Sequence, residues 1–221
     1  MRTALIAALS AILMTGCGGG AGGDRPNEDA TLLLDSPPDA VHAGIYLATE
    51  RGYDEAEGVR LELRRPGAST DPVRQLRTGR ADIAILDIRD LAAASRRGRD
   101  IVGVYAVVQP LPRLVLCVTR STLEERRPVV RAVIRALQRG YVQAQAEPDS
   151  AVAALLERAR GSDRQALAAR LDAVSPAFTA GARAPGELRE DVLRRWAASL
   201  DDPLDVSKAF DFDQVGPVRN P

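Results

Sequence analysis

Residues 31–52 read Thr31-Leu32-Leu33-Leu34-Asp35-Ser36-Pro37-Pro38-Asp39-Ala40-Val41-His42-Ala43-Gly44-Ile45-Tyr46-Leu47-Ala48-Thr49-Glu50-Arg51-Gly52. A short apolar run, a proline-containing turn and a helical stretch from about Val41 to Arg51, stopped by Gly52, make one strand-then-helix unit. The unit recurs twice. Val59 to Leu63 alternates apolar and polar as a strand does, a turn covers Arg65 to Asp71, and Pro72 suits the first helical position with Asp71 as its cap and Gly79 as its stop. Ala81 to Leu86 reads as a third strand and Asp87 to Arg97 as a third helix, closed by Gly98. Strands alternating with short helices predict the α/β class, with a mostly parallel sheet, right-handed crossovers and flanking helices.

Beyond these units, Ile101 to Val108 and Leu114 to Thr119 read as strands separated only by Gln109 to Arg113. So short a link permits an antiparallel return and leaves no room for a crossover helix. Ser121 and Glu124 have capping-box spacing. Val129, Val130, Val133, Ile134, Leu137 and Tyr141 then form an apolar stripe opposite Arg131, Arg135 and Arg139. Helices over Asp149–Arg160, Arg164–Val174 and Glu187–Leu200 complete a helical C-terminal half.

In the other direction, Arg2 precedes an apolar run from Ala4 to Met14, and Thr15-Gly16-Cys17 follows. The run is shorter than the roughly 20 residues a bilayer span needs, so residues 1–16 read as a signal peptide. Leu13 to Cys17 resembles a bacterial lipobox, with Met14 where Leu is usual. This implies lipidation at Cys17, a lipoprotein anchored outside the cell membrane, and an unpaired Cys117 in an apolar core setting. Residues 17–29, Gly-rich and polar, read as a flexible tether, and residues 30–221 as a single domain.

The 221 residues carry 30 basic and 30 acidic side chains, with 45% hydrophobic residues. Zero net charge argues against a nucleic-acid binder and rules out a polybasic membrane-surface protein as a description of the whole chain. Every basic residue but Lys208 is Arg, which reflects coding bias in a scattered, balanced distribution.

Ligands of open parallel sheets bind at the carboxyl ends of the strands. Those places carry Asp35, Ser36, Asp39 and His42, the sole histidine; then Ser69 and Thr70; then Asp87, Arg89 and Asp90. They suit a small polar or heteroaromatic molecule, while Asp35, Asp71 and Asp87 have the alternative of capping helices. A metal site lacks a second His or paired Cys, a phosphate loop of the Gly-Lys-Ser type is missing, and no serine sits on a nucleophile elbow. The reading is a binding protein without cofactor or metal.

Asp35 to Ala48, Glu50 to Tyr53, Glu57 to Val59 and Gly79 to Asp87 resemble the thiamine-pyrimidine precursor binding proteins, which group with nitrate, sulfonate and taurine binding proteins of ABC importers. Further matching runs are Leu116 to Arg120, Phe178 to Gly181 and Ala209 to Asp211. The resemblance implies a periplasmic-binding-protein-like lobe, a pyrimidine thiamine precursor or similar heterocycle as ligand, an ABC permease as partner, and a monomer. Ser36 stands where such proteins carry an aromatic residue, and Asp39 where they carry Asn. Their second lobe is entered after the strand matching Ile101 to Val108; here it is largely absent, between 109 and 114. Two alternatives follow: a reduced member without high-affinity binding, or an enzyme making the pyrimidine with pyridoxal phosphate. Against the enzyme, Pro38 stands where fungal relatives carry the cofactor's lysine.

Replacing Cys17 with Ala is expected to release the protein from the membrane fraction or leave an uncleaved precursor. A mutant that stays with the membrane at mature mass contradicts the anchor.

Overall fold

The computed structural model describes residues 28–159 and 161–218. The expected leader, Cys17 and the tether up to residue 27 lie outside these. The described strands are β1 (Glu28–Leu33), β2 (Val59–Arg64), β3 (Ile83–Asp87), β4 (Ile101–Ala106) and β5 (Leu114–Thr119). They form one five-stranded sheet in the order β2-β1-β3-β5-β4. As the alternating pattern predicts, β1 pairs parallel with both β2 and β3, while β4 and β5 pair antiparallel. β5 also lies antiparallel against β3, so the expected antiparallel extension continues the sheet beyond β3 with β5 innermost, and the sheet is mixed rather than mostly parallel.

The helices are α1 (Ala43–Glu50), α2 (Tyr53–Ala56), α3 (Pro72–Arg77), α4 (Ile88–Arg96), α5 (Arg120–Glu125), α6 (Arg127–Ala146), α7 (Pro148–Arg158), α8 (Arg164–Val174), α9 (Glu190–Ala198) and α10 (Val206–Ala209). Strand periodicity sorts the core into two layers. Leu32, Leu34, Ile83, Ile85, Leu116 and Val118 face α1, α6 and α7. Leu33, Ala84, Leu86, Val115 and Cys117 face α4, α9 and α10. The C-terminal half therefore covers both faces of the sheet. Cys117 is fully buried, and burial pushes its thiol far up, leaving it a core side chain.

Three further expectations need correction. The tether ends two residues early: Glu28 and Asp29 pair with Val59 and Arg60, and Arg126 reaches the Glu28 carboxylate and the Asp29 carbonyl. The capping box at Ser121 does not form, because α5 leaves β5 directly. Thr119 is its cap, accepting from Thr122 N at 3.0 Å, while the Arg120 amide is held by Asp100 O at 2.9 Å. The helix expected over Glu187–Leu200 is confined to Glu190–Ala198.

Helix α6 crosses α1 at near backbone contact. A Cβ on Gly140 would lie 2.0 Å from Gly44 O, and one on Gly44 would lie 2.4 Å from the Tyr141 ring. Tyr141 covers Gly44 and donates its hydroxyl to Val41 O at 2.9 Å, tying α6 to the turn that opens α1. Gly140→Ala is expected to cost about 1–3 kcal/mol or more in urea unfolding, since neither backbone can yield locally. An unchanged midpoint contradicts this packing.

Candidate functional site

β1 ends at Leu33, and the chain turns through Asp35 to Asp39 into a single 3-10 turn, Ala40–His42, that leads into α1. The His42 side chain is wholly buried. Its Nδ1 accepts from the Asp39 amide at 3.2 Å, and its Nε2 lies 2.8 Å from Asp35 Oδ1. An acceptor at Nδ1 fixes the neutral tautomer with the proton on Nε2, donated to Asp35. The imidazole is thus satisfied at both ends and has no surface to offer a ligand. The expectation that His42 touches the ligand is corrected: His42 positions Asp35. Burial works against the Asp35 carboxylate, but the hydrogen bonds it accepts, first of them from His42, outweigh it and hold Asp35 below its ordinary range.

Beyond Asp35, a pocket of about 410 Å³ opens at the carboxyl ends of β1 and β3. Leu33, Leu34, Ile85, Leu86 and Leu114 give it an apolar floor, and Asp35, Thr70, Asp87, Asp90 and Arg113 supply its polar groups. Thr70 is held by its own loop, its hydroxyl accepting from Gly67 N at 2.8 Å. Asp87 caps α4 through Arg89 N at 2.8 Å, so the capping alternative and a place in the pocket hold together. Arg113 arrives because β5 runs antiparallel, which puts the residue before it at this same edge; Arg113 O accepts from Ile88 N at 2.8 Å.

The structure therefore brings four of the expected residues, Asp35, Thr70, Asp87 and Asp90, to one pocket. The other five do not line it. Ser36 turns its hydroxyl to Pro37 O, and Asp39 pairs with Arg170 at 2.9 Å. Ser69 and Arg89 are exposed, and His42 lies behind Asp35. Arg113 was not anticipated from the sequence, although its place just before the return strand was the available signal. Three carboxylates against one guanidinium, over an apolar floor, suit a flat ligand with exocyclic amines and a ring or carbonyl acceptor.

Residues 39–113 match the family model described as NMT1/THI5 like. The chain resembles the NMT1/THI5-like proteins, as its first loop and helix implied. The formylaminopyrimidine-binding protein of Halalkalibacterium halodurans is 32% identical over 86 residues, which are 39% of this chain and 26% of that protein. The chain thus matches about a quarter of that relative's length. Among solved structures, a protein of Bordetella bronchiseptica RB50 superposes with a TM-score of 0.70 at 11% identity, covering 84% of this chain and 95% of that one. The ligand binding component of an ABC-type import system from Staphylococcus aureus gives 0.66 at 9%, over 85% and 97%. A Candida albicans gene product titled as having the generic periplasmic binding protein fold gives 0.62 at 11%, over 87% and 98%. The fold is that of the periplasmic binding proteins. The relative and the import component named here are binding proteins, not enzymes. Lys208 stands apart from the pocket in α10, beside Asp205. The NMT1/THI5-like segment carries Asp87, Asp90, Thr70 and Arg113, so it supplies most of the pocket's polar groups.

Asp35→Asn is expected to cost about 1–3 kcal/mol at neutral pH by weakening the charged acceptor of His42. A pKa lowered by folding stabilises above the ordinary carboxylate range, and that stability is lost as pH falls through the folded value. The gap between the wild type and Asp35→Asn should therefore narrow below about pH 4 in urea titrations. A gap independent of pH contradicts the pairing.

Proposed function

We propose that this chain is the solute-binding lipoprotein of an ABC importer, capturing a pyrimidine thiamine precursor or a similar small amino-substituted heterocycle for a permease. The observation that carries the reading is the pocket's donor set, with Asp35 held ionised by His42 on one wall and Arg113 on another. The carboxylates accept from exocyclic amines, Arg113 donates to a ring nitrogen or carbonyl, and the leucine floor takes the ring face. Similarity to a formylaminopyrimidine-binding protein supports that ligand class. Similarity in fold to the binding component of an ABC-type import system supports the transport role. No described helix is long and apolar enough to cross a membrane, so attachment to the membrane rests on Cys17 in this reading.

A second reading has its own observation. The described residues form one sheet, and β4 returns through residues 107–113 straight into β5. One wall of a cleft buries less of a ligand than the 70–90% typical of good small-molecule sites. A reduced member that binds weakly, or has given up ligand capture, follows from that geometry.

Calorimetry with formylaminopyrimidine separates the two. The transport reading expects saturable binding, weakened about tenfold or more by Arg113→Ala and by Asp35→Asn. His42→Ala should act only through the loss of Asp35 positioning. Undiminished binding in both pocket variants removes the site, and no binding by the wild type favours the reduced member.

A further inference from the structure

A second pocket, of about 520 Å³, lies behind the loops that frame the first. It is lined by Pro37, Pro38, Tyr46, Arg65, Glu157 and Arg158 among others. Tyr46 retains only 5% of its surface, yet its hydroxyl has no hydrogen-bond partner among the described residues. The ring is buried while the hydroxyl lies at the pocket surface, where its donor is open to a ligand. Arg65, at the end of β2, and Arg158, at the end of α7, converge on the same space. The Arg65 guanidinium reaches Arg158 O at 3.5 Å, and neither side chain has an ion-pair partner among the described residues. Burial raises the Tyr46 pKa while Arg65 and Arg158 pull it back, so at neutral pH the phenol is a proton donor facing both guanidiniums. Elsewhere on the surface Arg51 pairs with Glu147 and Arg135 with Glu57.

We infer that this pocket is a site for a small oxyanion, such as a sulfate, phosphate or carboxylate group, held by the Tyr46 hydroxyl and the Arg65 and Arg158 guanidiniums. Each of the three groups donates only, or donates by preference, and an oxyanion offers acceptors in several directions. The carbonyl end of α7 disfavours an anion, but Arg65 lies against it and offsets that end. Glu157 on the rim offsets part of the positive charge of the two arginines, and Glu50, within electrostatic reach of Arg158, offsets more of it. The site shares its framing loops with the first pocket: Pro37 and Pro38 follow Asp35, and Arg65 precedes Pro66. The anion comes either free from the surroundings or as an acidic arm of the molecule in the first pocket.

Calorimetry of the protein in a cationic buffer with sodium sulfate tests the site. Saturable binding is expected, weakened about tenfold by Tyr46→Phe and by Arg65→Gln, and strengthened several-fold by Glu157→Gln. Tyr46→Phe keeps the buried ring, and unchanged thermal melting confirms that the fold is intact. Titration with an aminopyrimidine and its phosphate ester then separates the sources. A tighter ester whose advantage vanishes in Arg65→Gln marks the arm; independent binding of sulfate and the neutral aminopyrimidine marks a free anion. Sulfate binding without any aminopyrimidine binding keeps this site while removing the proposed ligand of the first. Absence of saturable sulfate binding, or binding equal in all the variants, overturns the inference.

Discussion

The imidazole of His42 joins the end of β1 to the start of α1 by two hydrogen bonds, one to Asp35 and one from the Asp39 amide. A buried imidazole with either nitrogen unpaired would carry a desolvation cost, so both bonds must form together. Their joint formation sets the path of the turn, the rotation of the 3-10 segment and the direction of the Asp35 carboxylate. The pocket wall and the helix start are consequently one structural unit.

That unit is held from outside by α6. The approach of Gly140 to Gly44 lets the helices meet backbone to backbone, and Tyr141 reaches past them to Val41 O. Phe178 packs edge-on against Tyr141, with ring centroids 4.7 Å apart, extending the aromatic wedge toward the turn after α8. Core packing thus decides how precisely Asp35 is aimed, and a change well away from the pocket can alter it. The same turn contributes Pro37 and Pro38 to the anion pocket, so the two cavities share a rigid wall.

Much of this was legible in the sequence where the signal is periodic. The alternation of Val59 to Leu63 and the apolar run of residues 83–86 gave the parallel strands, and the Gly stops gave the ends of the helices. The pairing of β5 with β3 was not legible, because the pattern of Leu114 to Thr119 states that it is a strand but not which neighbour it meets. The same gap hid Arg113, whose position at the pocket follows from that pairing. Ser121 misled because a capping box is a local pattern, whereas the start of α5 is set by the end of β5 and by Asp100 on a neighbouring loop. Asp35, Thr70, Asp87 and Asp90 were legible from the rule that carboxyl ends of strands carry ligands. His42 was legible as a chemically important residue but not in its orientation, since a histidine that binds and one that braces have the same letter. Packing of the 3-10 turn against α1, α7 and α8 made the difference.

Because the chain holds a single histidine, its imidazole gives one set of ring-nitrogen resonances. Nitrogen-15 NMR of His42 at neutral pH tests the central claim most directly. The account predicts the neutral tautomer with the proton on Nε2, a slowly exchanging Nε2–H, and an Nδ1 shifted as a hydrogen-bond acceptor. A proton on Nδ1, or tautomers averaging in fast exchange with solvent, would contradict it.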